Sequence, residues 1–391
     1  MLSRRRGNSP SEGPSNVGSP AGSDANVENG RSSRQAYATQ IKNTQQKPEA
    51  IDHLRLFLIL FGLIVAVPVS ASPLFDDDAV LEIRLSGQLA ALIKNKKVRE
   101  EYPFVLGSRG TNIQIKARVR GNSRVAMCRF PPLRLNFASG KTEQTVFAGQ
   151  KKLKLVTHCK SDNDRAEGNV LDEYTAYRIF NLLSDASYQV RLVRVSYQDA
   201  DAKQKDLERS YYGFLIESDR ELAARLGGEV AAIRDVRYSR LDDDQTTLSF
   251  VFQYLIGNTD YSLLTAETEE TCCHNVDLID VDGKLLTVPY DFDFSGLVNA
   301  AYAKPNAIVN LKRVTQRRYI GYCKSDIQSV KTSLQRVVAL KHEILSVAQS
   351  VPALAEKDVA TRLRFLERFF EAAGDQEGLL RKFSRECLGP N

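Results

Sequence analysis

The chain contains no tryptophan, only four histidines and no Cys-x-x-Cys pair. Without tryptophan it lacks the commonest aromatic anchor of binding hot spots. The histidine and cysteine spacing matches no zinc pattern, which excludes the common structural zinc folds. No long Lys/Arg block is interleaved with aromatics, and a net charge of +6 over 391 residues is modest. Nucleic acid is therefore not an expected partner, although a mild attraction to anionic surfaces or acidic substrates stays open. There is no internal repeat, and no apolar run of comfortable membrane-spanning length.

What is present divides the chain unevenly. Residues 1–54 are rich in Ser, Gly, Asn, Gln and Pro and nearly free of large apolar side chains until the end of the stretch. Such a segment cannot bury enough surface to offset its ordering entropy, so a disordered tail is expected; a start codon assigned too early would look the same. Arg55 then leads into the apolar run Leu56 to Val67 and the small-residue segment Pro68-Val-Ser-Ala71. Residues 55–72 read as a signal peptide or, uncleaved, as a single transmembrane anchor. Asp76-Asp77-Asp78 follows directly, a cluster that no core helix would run into. Both readings place the remainder outside the cytoplasm: periplasmic, secreted or membrane-tethered. The six cysteines (Cys128, Cys159, Cys272, Cys273, Cys323 and Cys387) fit an oxidising compartment with up to three disulfides, the adjacent Cys272 and Cys273 being expected to bond different partners. Buried free thiols are the alternative.

The apolar fraction of 42% supports a packed core, in one bilobed domain or two smaller ones. Period-2 alternation predicts strands over Ala79–Leu85, Asn112–Arg120, Leu133–Phe137, Lys152–Val156, Val190–Tyr197 and Tyr212–Ile216. A helix with a broad apolar face is predicted over Val170–Leu183. Asp242-Asp-Asp244 supplies the cap of a helix ending at Ile256, with Gly257 as terminator. Val276–Ile279 and Lys284–Val288 flank Asp282-Gly283 and read as a hairpin. Long helices are expected over 325–348 and 358–373. The order predicts an α+β chain with a β-rich lobe over 75–220 and a helical lobe over 221–391.

Three elements carry chemistry. Arg118-Val-Arg-Gly-Asn-Ser123 joins two strands, a turn where backbone amides and Arg120 could approach phosphates. Lys154 on a strand and Glu173 on the next helix have the order of a phosphate-binding lysine held by a carboxylate. Most telling, Ile256-Gly-Asn-Thr-Asp260 leads through His274-Asn275 and the hairpin into Val288-Pro-Tyr-Asp-Phe-Asp-Phe-Ser-Gly296. Phosphoryl transfer needs one carboxylate on the acceptor hydroxyl, and carboxylate and amide oxygens for Mg²⁺. A loop aspartate, an asparagine, a hairpin and a second aspartate supply them in that order.

Together with Gly213-Phe-Leu-Ile-Glu217, these motifs resemble the CotH (spore coat protein H) kinase family over roughly residues 80 to 300. Asn258-x-Asp260 and Pro289-Tyr-Asp291 also look like HipA-type kinases. The resemblance implies a bilobed atypical protein-kinase-like fold and an ATP- and Mg²⁺-dependent phosphotransferase acting on Ser/Thr of an extracytoplasmic protein. It implies Asp260 as catalytic residue and Asn275, Asp291 and Asp293 as metal-binding residues. Lys154, Glu173, Arg120 and Glu217 fall on the nucleotide, with Glu217 near the adenine and Arg134 or Lys152 as alternatives to Lys154. The chain departs from the family in the insertion Tyr261 to Cys273, which separates Asp260 from Asn275, and in Tyr261-Ser262 where an Arg-His pair is frequent. The rival reading is a non-catalytic binding protein on the same fold.

Overall fold

The computed structural model describes residues 73–389, apart from 162, 202, 204–208 and 264–271. The expected tail over 1–54 and the signal or anchor segment over 55–72 lie outside the described residues. Among those described, no helix is long and apolar enough to cross a membrane.

Seven strands form a closed barrel: β1 (Leu81–Gly87), β2 (Tyr102–Ser108), β3 (Thr111–Val119), β4 (Leu133–Phe137), β5 (Lys152–Val156), β6 (Val190–Asp199) and β7 (Ser210–Ile216), in the order β1-β2-β3-β4-β5-β7-β6. Alternation drives the closure. On β3, Ile113, Ile115, Ala117 and Val119 are buried while Asn112, Gln114 and Lys116 are exposed. Inward residues from every strand, among them Leu81, Ile83 and Leu85 on β1 and Leu133, Leu135, Leu153 and Leu215 elsewhere, form one apolar cluster.

The architecture corrects the expected bilobed kinase-like fold. Strand β1 pairs antiparallel with β2 and parallel with β6, so the edge that an open N-lobe sheet would leave free is sealed. Alternation identifies strands, but it carries no information about which edges meet. The helices α1 (Leu89–Lys94), α2 (Ser123–Met127) and α3 (Asp164–Leu183) arise between barrel strands. Beyond the barrel lie α4 (Asp219–Arg225), α5 (Asp243–Ile256) and a small sheet of β8 (Glu229–Val230), β9 (Val276–Val281) and β10 (Lys284–Pro289), so this part is not purely helical. Helices α6 (Ile327–Ala339), α7 (Lys341–Ser350), α8 (Glu356–Ala372) and α9 (Gln376–Glu386) complete it, the long helix predicted over 325–348 breaking at Leu340.

Helix α3 is the central strut, capped by the Asn163 side chain, which accepts from the Arg165 N–H at 2.9 Å. It is buried on nearly all sides rather than on one face, because it packs on β7, on α7 and on the segment after β10. Its buried acids are consequently paired. Asp172 accepts from Arg362 Nε at 2.8 Å, and Glu167 accepts from the Tyr212 N–H at 2.6 Å.

All six cysteines are paired, as Cys128–Cys159, Cys272–Cys273 and Cys323–Cys387. The adjacent pair bonds to itself, which corrects the expectation of two separate partners.

Candidate active site

Helix α5 ends as its residues dictate. Asp242 accepts from the Gln245 N–H at 2.9 Å at the start, and Gly257 terminates it in the left-handed region at φ +66°. The chain then turns sharply. Asn258 donates to Gln253 Oε1 at 2.9 Å and accepts from the Asp260 N–H at 3.0 Å, so a buried amide locks the loop that presents Asp260. The Gly296 N–H donates to Gly257 O at 3.0 Å and ties the later acidic segment to the same corner.

The hairpin supplies the other side. Asp282 and Gly283 both have positive φ, as a tight two-residue turn demands, and bring Val276 opposite Pro289. Asn275 and Tyr290 thus become neighbours at its open end, where the Tyr290 N–H donates to Asn275 O at 3.0 Å. Asn275 Nδ2 donates to the Asp260 carbonyl at 2.7 Å and to Oδ2 at 3.1 Å, and His274 Nε2 lies 3.1 Å from Asp260 Oδ1. The interval between Asp260 and Asn275 therefore does not keep the two apart. Asn275 thus spends its amide nitrogen on Asp260. Asp291 takes a left-handed conformation at φ +60°, and its N–H donates to the Tyr177 hydroxyl at 2.9 Å.

Asp260, His274, Asn275, Asp291 and Asp293 line one face of a cavity of about 630 Å³, and Arg99, Arg118, Arg120 and Arg134 line it as well. Arg118 and Arg134 stand on barrel strands, whereas Arg99 precedes β2 and Arg120 follows β3. Arg118 on β3 stands opposite Arg134 on β4, and Arg134 stands opposite Lys154 on β5. Like charges directly across adjacent strands repel, so the row costs stability unless an anion sits before it. Burial and the nearby Arg118 and Arg120 hold Arg134 below the usual guanidinium range.

Behind the acidic face stands Arg124, a residue that the sequence reading passed over. Its side chain is 7% exposed. Nη2 donates to both oxygens of Glu173 at 2.8 Å and to Asp291 Oδ1 at 3.0 Å, while Nε donates to Asp293 Oδ2 at 2.8 Å. The Tyr302 hydroxyl donates to that same Asp293 oxygen at 2.9 Å. Burial pushes the carboxyls of Glu173 and Asp293 upward, and the Arg124 guanidinium opposes the shift in both. A signal for this arginine did exist: Asp291 and Asp293 stand in the otherwise apolar segment Tyr290 to Phe294, buried acids need a cation, and Arg124 directly follows the glycine turn.

The remaining expected site residues are placed apart. Glu173 belongs to Arg124 and makes no pair with Lys154. The Lys154 ammonium lies 5.1 Å from the Tyr188 ring centre and 5.5 Å from that of Tyr290. Burial lowers it, and Asp277 opposes that shift. Lys154 lines not the first cavity but a second one of about 480 Å³, with Lys152, Asp219 and Arg134, the last being common to both. Glu217 is committed to Arg225, whose Nε and Nη2 donate to it at 3.0 and 2.9 Å, and to the Gln189 N–H. It lies outside both cavities. Among the described residues no group of three or more His, Cys, Asp and Glu side chains could hold a metal ion. Mg²⁺, however, commonly takes one or two protein ligands and fills its shell with phosphate and water. Asp291, whose side chain is 39% exposed, and the Asn275 oxygen suit that role, whereas the Asp293 Oδ2 oxygen already accepts twice.

No protein-family model matches the chain, and no curated protein matches it.

Proposed function

We propose that the chain is an ATP- and Mg²⁺-dependent phosphotransferase whose acceptor is a protein Ser/Thr hydroxyl. The observation that carries this reading is the juxtaposition of a cross-strand arginine row with an aspartate–asparagine–aspartate face in one cavity. Arg118, Arg120 and Arg134 would receive the phosphates, and forked guanidinium groups suit phosphate oxygens. Bound Mg²⁺ supplies neutralisation of charge on the phosphates, with Asp291 and Asn275 as its protein ligands. Asp260, fixed by Asn258 and steadied by His274 and Asn275, orients the acceptor hydroxyl and takes its proton. Glu173 and Arg124 act one step back, holding Asp291 in place. The motif resemblance to CotH kinases supports the chemistry, not the architecture. The pairing of all six cysteines supports an extracytoplasmic location.

One observation favours a second reading, an anion-binding module without catalysis. Arg124 already occupies the centre of Glu173, Asp291 and Asp293, and so satisfies the acids without a metal. Calorimetric titration of ATP into the full chain, with and without Mg²⁺, separates the two. The phosphotransferase reading expects binding that tightens with Mg²⁺ and is followed by transfer of the terminal phosphate. Mg²⁺-independent binding without transfer supports the module, and no binding of either kind overturns both.

A further inference from the structure

A further cationic groove, of about 470 Å³, shares no lining residue with the candidate active site and is lined by the segment 313–317, Tyr254 on α5, Arg368 and Phe369 on α8, and Lys382 on α9. Four cations line it, Arg313, Arg317, Arg368 and Lys382, and no carboxylate does. Arg317 is the built element. Its Nε donates to Leu255 O at 3.1 Å and its Nη2 to Phe365 O at 2.6 Å, with the guanidinium 4.0 Å from the Phe365 ring centre. A half-buried guanidinium is thus fixed by two carbonyls and a ring, with no acid to neutralise it. Arg368 approaches the same ring at 5.8 Å. Burial, with Arg368 adding to it, lowers Arg317 to about 10. Lys382 donates to the Tyr254 hydroxyl at 3.0 Å and reaches Glu386 only at 4.0 Å, where Arg318 already stands at 3.4 Å. Among the described residues Arg313 and Arg368 form no ion pair.

Three cations without an ion pair among the described residues are held around one groove, and an anion in the groove would relieve their mutual repulsion. A single carboxylate would neutralise one of them, whereas a phosphate brings up to two charges and several oxygens for planar guanidinium donors. We infer that this groove binds a phosphate group, either free or carried on a protein segment. The inference stands independently of the phosphotransferase reading, because no residue is shared with that cavity.

The test is phenylglyoxal modification of the full chain, read arginine by arginine by peptide mass mapping at matched ionic strength. The probes are inorganic pyrophosphate, a phosphoserine peptide and the same peptide without phosphate. Arg364 and Arg381, exposed and outside the groove, serve as references. At ten times its dissociation constant a bound probe should slow modification of Arg313 and Arg368 by about tenfold and leave the references unchanged. Protection by pyrophosphate at lower concentration than by the phosphopeptide supports free phosphate, and the reverse order supports a protein-borne one. The exposed Arg368→Gln variant should fold normally and weaken the protection read at Arg313 by about tenfold. Equal slowing at all arginines, equal protection by the unphosphorylated peptide, or no protection overturns the inference.

Discussion

Replacing Arg124 by Met removes the cation on which the acidic face of the candidate site is built. The side chain makes bonds of 2.8 to 3.0 Å to Glu173, Asp291 and Asp293. Glu173 and Asp293 are almost wholly buried, so water cannot replace the lost partner, whereas Asp291 is open enough to hydrate. Hydrogen bonds to charged groups are each worth about 1.5–3 kcal/mol, and simple addition over the set would overshoot. The two buried acids can each take up a proton once the guanidinium is gone, which caps the penalty. The expected loss is that of a broken buried ion pair, about 3–5 kcal/mol. Adding Glu173→Gln to Arg124→Met should restore about 1–2 kcal/mol, because a neutral amide at the most deeply buried position needs no proton uptake. Urea unfolding of the parent, the two single variants and the double variant closes the cycle. A loss below about 1 kcal/mol for Arg124→Met, or no recovery in the double variant, would refute the claim that Arg124 organises the acidic face.

Three further outcomes follow from the same structure. Gly257→Ala forces a side chain into the left-handed region, with its Cβ 3.1 Å from Phe365, and should cost about 1–2 kcal/mol in thermal unfolding. Breaking Cys128–Cys159, which closes 31 positions of chain, by a double Ser replacement should cost about 3–4 kcal/mol. His158 is wholly buried, stacked 3.8 Å from the Tyr211 ring centre, and burial lowers it to about 3. The unfolded chain binds this proton near pH 6.5 and the folded chain does not. Stability should therefore be full above that pH and fall by about 3–5 kcal/mol as pH drops towards 3, and His158→Phe should lose this part of the pH dependence in urea titrations.

The local signals were legible and the long-range pairings were not. Helix α5 could be read from Asp242 to Gly257 because cap and terminator are local chemistry, and the hairpin because Asp282-Gly283 allows one turn. Strands β4 and β5 match their alternation to the residue. Strand β2 was missed because Pro103 and Gly107 break its pattern. Barrel closure depends on β1 meeting β6 across more than a hundred residues, which no short window records. The order Asp260, Asn275, Asp291 pointed to one site, and all three line the same cavity. Arg124 escaped because a lone arginine after a turn looks solvent-exposed; its partners stand 49, 167 and 169 positions away. The same distance problem made Lys154 the apparent mate of Glu173.

The most direct test of the proposed chemistry compares Asp260→Asn with Asp291→Asn in the full chain, measuring nucleotide binding and phosphate transfer together. Asp260 is assigned to the acceptor hydroxyl, so Asp260→Asn should keep Mg²⁺-dependent ATP binding while transfer falls by about 10²–10⁴. Asp291 is assigned to the metal, so Asp291→Asn should weaken Mg²⁺-dependent binding as well as transfer. Both residues are partly exposed, so neither change should unfold the chain. If both variants bind ATP and transfer phosphate like the parent, the assignment of this cavity as a phosphotransferase site is contradicted.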